Sequence, residues 1–181
     1  MARWTGPLIA GAIAAAIAGY AALEATPNVL MKLAEHRIAT LGGINRLAHA
    51  PVVTAASRAV VRPSPDLLYS SCVFDASRGA VLVDVPAIPA PYWSLSVFDQ
   101  QTNVAFVRNN LQTGGKPMAI AIVARGASAP ADRPSVAVPG GKGIALVRIL
   151  IDREKPLTAI DAARRQARCR PAALDQATIT P

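Results

Sequence analysis

Aromatic residues are scarce in this chain, at 4% of 181 residues. A surface that binds single-stranded nucleic acid needs rings on which bases can stack. The net charge of +8 and the pI near 10.3 therefore do not by themselves indicate nucleic acid, and none is expected as a partner. Acids are also few, 11 against 19 Lys and Arg, so paired-carboxylate chemistry has little to draw on. Two histidines and two cysteines without a CxxC spacing give no metal-ligand set. A nucleophilic triad assembled from His49, Asp66 and Ser70 lacks the strained GxSxG turn that exposes such a serine. The turns GGKP and GGKG lack the Ser or Thr and the upstream glycine of a phosphate loop, and they read as hairpin turns. No catalytic residue, metal ligand or cofactor is nominated.

Apolar sequence is plentiful, at 52% of the residues with a mean hydropathy of +0.32. Much of it lies near the N-terminus. Trp4 to Leu23 reads WTGPLIAGAIAAAIAGYAAL, without a charge. A helix of that length spans about 30 Å, the hydrocarbon thickness of a bilayer. Trp4 and Tyr20 stand near its ends, where amphipathic rings favour the interface. Residues 1–25 are therefore read as a transmembrane anchor. A cleavable signal peptide ending near Ala21 or Ala25 is the alternative, which would make the protein secreted. Arg3 before the span places the N-terminus in the cytoplasm and the remainder outside. Gly11, Ala15 and Gly19, four apart, would allow close helix packing in the bilayer.

Residues 26–59 form a juxtamembrane helical segment in this reading. Thr26 suits an N-cap and Pro27 a first turn, with an apolar stripe of Leu30, Leu33, Ala34 and Leu41, and with Gly42 and Gly43 as the stop. A second short helix is expected over Ile44–Ala48. From Leu67 the periodicity changes to two. AVLVDVP, YWSLSVFD, VAFVRN, MAIAIVA and GIALVRILI are strand-like, with a short edge strand over Ser135–Val138. Trp93 falls on the apolar face of its strand and belongs in the core; Asp84 falls opposite three valines and should be solvated. A closing helix is expected over Pro156–Arg168, with Asp161 reaching Arg165. The fold class is mainly β (α+β): an antiparallel sheet or sandwich at residues 60–181, flanked by helices. If the domain is exported, Cys72 and Cys169 could form a disulfide; two buried thiols are the other possibility.

RPSPDLLYSSCVFD, followed by VLVDVP, PYWSLSVFDQQTNVAFVRN and KGIALVRILI, resembles the domain-of-unknown-function family 1254. Arg62, Pro63, Asp66, Tyr69, Ser70, Tyr92, Asp99, Thr102, Asn103 and Arg148 stand at positions matching that family's pattern. Ser64 and Leu67 depart from it, where the family has Asn and Thr. The resemblance implies an envelope protein with no established activity. It also implies a possible partner chain carrying the domain-of-unknown-function family 1214, which follows this domain in larger members and is not among these 181 residues.

The expected ligand-contacting residues are Arg62, Asp66, Tyr69, Ser70, Tyr92, Asp99, Asn103 and Arg148. Arg148 is expected to be solvated or to pair with Asp66 or Asp99. The favoured function is a non-catalytic assembly or binding module in a bacterial inner membrane, with its domain in the periplasm. The alternatives are an envelope hydrolase or lyase with a cleft around Asp66 and Tyr69, and a glycan- or lipid-binding β-sandwich.

Overall fold

The computed structural model describes residues 4–54, 57, 63–152 and 156–172. It opens with one long helix, α1, Thr5–Gly42, of 38 residues, about 57 Å from end to end. This helix is long and apolar enough to cross a membrane, and its apolar window is not buried by the rest of the protein.

The expected helix start at Thr26 and Pro27 is replaced by continuity, since Pro27 lies inside α1. Proline cannot donate to the carbonyl four residues back. The Thr26 hydroxyl beside it donates to the Ala22 carbonyl at 2.6 Å, and the helix runs on without the Pro27 bond. Beyond that point α1 packs on the β domain. Its packing face is Met31, Ala34, Ile38 and Ala39, set against Val73, Ile144 and Phe98; of the expected stripe Leu30, Leu33, Ala34 and Leu41, Ala34 alone belongs to it. Those three leucines are exposed. Both sets recur at helical spacing, and only the sheet decides which is covered. Gly42 then lies so close to Ala48 that a Cβ there would sit 2.8 Å from the Ala48 Cβ.

The chain continues as β1, Leu47–His49, where a short helix was expected. It pairs with β2, Leu67–Asp75. The remaining strands are β3 (Val81–Val85), β4 (Trp93–Asp99), β5 (Val104–Asn109), β6 (Met118–Ala124), β7 (Ser135–Val138) and β8 (Lys142–Leu150). Helix α2, Leu157–Arg164, and strand β9, Arg168–Pro171, close the described chain. Two sheets result, one ordered β1-β2-β8-β4-β5 and the other β7-β6-β3-β9. All pairings are antiparallel except β6 with β7. The class is the mainly β one that the alternating pattern predicts.

Both glycine-lysine turns join strands of different sheets, β5 to β6 and β7 to β8, so neither is a hairpin turn. Gly143, the second residue of β8, follows the second crossing. A Cβ on it would collide with the Phe98 carbonyl and the Phe74 ring. Glycine here lets β8 run between β2 and β4 without an obstruction.

The core is built from alternate residues of both sheets. Leu68, Phe74, Trp93, Leu95, Val97, Val147 and Ile149 meet Val81, Val83, Val85, Ile120 and Ile122. Trp93 is fully buried, as its alternation predicts. Cys72 of β2 and Cys169 of β9 form a disulfide across this core, with Cα atoms 6.4 Å apart. The second cysteine reaches its partner from a strand, not from a helix end. The expected Pro156–Arg168 helix stops at Arg164, and the chain then turns so that Cys169 lies opposite Val83 in the ladder. Asp84 is not a lone solvated acid: Arg133 pairs with it at 2.8 Å and Arg170 at 3.8 Å.

Candidate functional site

In β2, β8 and β4 the residues that alternate with the core positions face the opposite side of the five-stranded sheet. Tyr69, Arg148, Ser94 and Asn109 stand side by side there, one from each of four adjacent strands. One step along, Ser71, Leu146, Ser96 and Val107 form the next row. Helix α1 covers the end of this face that carries Val73, Ile144 and Phe98, which leaves the Arg148 row beyond it.

That row carries unused hydrogen-bonding capacity. Ser94 and Ser96 are 0% and 1% exposed, and their hydroxyls have no partner. The Arg148 Nε is buried and also unpartnered. Among the described residues no acid pairs with Arg148. Its strand neighbour is Ser94, five residues from Asp99, so about 17 Å of strand separates it from that carboxylate.

The other expected residues are dispersed. Arg62 lies outside the described residues. Asp66 sits in the turn before β2, where its N–H donates to the Ser64 hydroxyl at 3.4 Å and its carbonyl accepts the Ile151 N–H at 2.9 Å. The Tyr69 hydroxyl accepts the Ser64 N–H at 2.9 Å, closing the same turn. Tyr92 is half-buried before β4, and its carbonyl accepts from Leu150 N–H at 2.9 Å. Asp99 and Asn103 lie at the far end of β4. One Asp99 oxygen accepts the N–H groups of Gln101 and Asn103, both at 2.9 Å, and the other accepts the Asn103 amide at 3.0 Å. Asp99 thus holds the β4–β5 turn together. Of the eight, the structure brings together Tyr69 with Arg148 on the sheet face and Asp99 with Asn103 in the β4–β5 turn.

Ser70 points the other way, into the protein, where it shares a hydrogen bond of 2.9 Å with His49 Nδ1. Two members of the triad weighed from sequence therefore do meet. Ser70 is 0% exposed, and Asp66 is four residues up the strand, about 13 Å away. The described geometry therefore does not assemble the His49–Asp66–Ser70 triad. Burial holds the His49 pKa below the ordinary imidazole value, and the Arg164 charge adds to that.

Arg164 carries the interaction that sequence reasoning missed. It is 2% exposed. Its guanidinium donates to Asp161 at 2.6 Å, to the Tyr69 carbonyl at 2.9 Å and to the Ala50 carbonyl at 2.9 Å. Nothing in the basic run Arg164, Arg165, Arg168 distinguishes the buried member, because the selection is made by α2 docking beside β2. Arg165 makes the expected bond to Asp161 at 2.7 Å, and the two arginines, Arg165 first, hold the Asp161 carboxyl below its usual range.

Two hollows mark the surface. The larger, about 510 Å³, is lined by Asn45, Asp75, Arg78 and Lys142 among others. Its acid is engaged by Lys142 at 3.2 Å and by the Ser77 N–H at 3.0 Å. The second, about 250 Å³, lies over α2 beside Asp161 and Arg164. Among the described residues no three His, Cys, Asp or Glu cluster to hold a metal ion.

The family model described as a protein of unknown function, DUF1254, matches residues 44–171. None of the curated proteins matches. The crystal structure of the VPA0106 protein from Vibrio parahaemolyticus has a similar fold, with a TM-score of 0.58 at 16% identity. The match covers 80% of this chain and 37% of that one. A second structure, a putative uncharacterized protein from Burkholderia cenocepacia, gives 0.47 at 14% identity over 75% of this chain and 38% of its own. The chain thus spans less than two fifths of the length of these solved neighbours.

Proposed function

The chain belongs to the DUF1254 family, and we propose that it serves as a membrane-anchored, non-catalytic binding module of a bacterial envelope. In this reading α1 is a retained inner-membrane anchor, the β domain stands on the periplasmic side, and a partner chain completes the assembly. The observation that carries it is the single helix α1. Its first half is apolar and uncovered, while its second half is packed on the five-stranded sheet. The helix continues unbroken past Ala21 and Ala25, which favours an anchor over a cleaved leader. The Cys72–Cys169 disulfide suits an oxidising compartment. The alternative of a cleft around Asp66 and Tyr69 finds no support in their geometry, since the Tyr69 hydroxyl is committed to the Ser64 N–H. The aromatic platform of a glycan-binding sandwich is not supplied by Trp93, which is fully buried.

The test is native mass spectrometry of tagged full-length protein, taken from its own membranes in mild detergent. A stoichiometric second chain bound to an uncleaved first chain is the expected result. A lone monomer or homodimer, or a mature chain beginning near residue 22 or 26, would overturn the reading.

A further inference from the structure

The Arg148 row is chemically unfinished. A guanidinium presents its donors in a planar fork that matches a carboxylate, and a buried polar atom without a partner carries a desolvation cost that a ligand would remove. Three such atoms stand on one patch of sheet: Arg148 Nε, Ser94 Oγ and Ser96 Oγ. Ser94 is directly opposite Arg148 and Ser96 is at the diagonal position, roughly 7–8 Å away. All are donors, and no described acid answers the arginine. Arg148 itself is half-buried while Ser94 is 0% exposed, so a ligand held by both reaches the serine only if a neighbouring side chain moves aside.

We propose that Arg148 and Ser94 are the receptor for a carboxylate, and that this carboxylate is an Asp or Glu side chain of the partner chain. This rests on the binding-module reading and names the contact through which it acts. Charge supports the choice of partner chemistry: the protein carries +8, and beyond α1 this face holds a cation with hydroxyl donors and, among the described residues, no acid paired with it. Arg148 forks onto the two oxygens, Ser94 donates to one of them, and Ser96 extends the row for a second acceptor on the same segment.

The first measurement is the arginine side-chain Nε–H spectrum of the full chain in non-ionic detergent micelles, titrated with acetate at constant ionic strength. The Arg148 signal is identified by its loss in Arg148→Lys. It is expected to move saturably with acetate and not with chloride, and to lose most of that response in Ser94→Ala. A shift no larger than that of the exposed Arg108 would overturn the site.

The second measurement compares wild type with Arg148→Gln in complexes drawn from native membranes. The variant is expected to hold the second chain about tenfold or more weaker, with Trp93 fluorescence confirming that it is folded. A second chain held equally well by the variant would overturn this inference and leave the binding-module reading standing. No second chain in wild type would overturn both. A small organic acid released on denaturation, in place of a chain, would keep the carboxylate site and overturn its assignment to a partner protein.

Discussion

Removing the Cys72–Cys169 disulfide tests the sandwich itself. The bond closes a loop of 97 residues and ties β2 of one sheet to β9 of the other. In the chain-entropy treatment a loop of that length constrains the unfolded chain by about 4.7 kcal/mol at 25 °C. Native strain and residual structure commonly reduce the realised value, so a loss of about 3–5 kcal/mol is expected. The perturbation is the double variant Cys72→Ala/Cys169→Ala, compared with wild type after reduction. Both routes remove the same constraint. Trp93, fully buried between the sheets, supplies the fluorescence signal for urea unfolding of the full chain in detergent. With a slope of about 2 kcal/mol per M, the midpoint should fall by roughly 1.5–2.5 M. Strand β9 has four residues and a ladder on one side only, so its end should also gain amide exchange. A midpoint within about 0.5 M of wild type would refute the argument, as would two reactive thiols in the exported, unreduced protein.

Other outcomes follow from single side chains. Arg164→Met leaves the Tyr69 and Ala50 carbonyls without their donor and Asp161 with Arg165 alone, and should cost about 3 kcal/mol in urea unfolding; a loss below about 1 kcal/mol would mean that the three hydrogen bonds do not persist in solution. Asp99→Ala removes the acceptor for two backbone N–H groups and the Asn103 amide and should cost about 2 kcal/mol, whereas Asp66→Ala, whose side chain holds no such set, should stay within about 0.5 kcal/mol. Gly143→Ala places a methyl on the Phe98 carbonyl and should lower the midpoint by the equivalent of about 2–3 kcal/mol; an unchanged midpoint would contradict the close approach of β8 to β4. His49 has a depressed folded pKa, so the unfolded chain takes up its proton first; the stability it contributes is lost as pH falls below about 6.5, and His49→Gln should flatten that part of the profile. Glu35 has the opposite sign, since partial burial of this α1 side chain lifts its carboxyl above the ordinary range. The folded state then holds a proton that the unfolded state releases, stability falls as pH rises above about 4.5, and Glu35→Gln should gain on wild type as it does.

The strands were legible because alternation is a local signal. Val81, Val83 and Val85, or Trp93, Leu95 and Val97, declare one apolar face whatever they pack against. Several other features depended on distant contacts. Ala34 extends as good a helical stripe with Leu30, Leu33 and Leu41 as with Met31, Ile38 and Ala39, and the choice falls to Val73, Ile144 and Phe98, which are far along the chain. β1 has three residues and exists because β2 offers it an edge. β9 is held by β3 and by a disulfide to β2, so the basic run there extends as a strand where a helix end was expected.

The site follows the same division. Tyr69 and Arg148 were singled out by type and position, but the sequence paired Arg148 with acids that the ladder register keeps several residues away. Ser94 and Ser96 were seen only as the polar half of an alternating strand. Hydroxyls on such a strand are ordinarily solvated. What makes these two unusual is that β4 is an inner strand, flanked by Leu146 and Arg148 on one side and by Val107 and Asn109 on the other. Their hydroxyls are buried there and have no partner. That condition belongs to the register of three strands together, and no single strand's pattern records it.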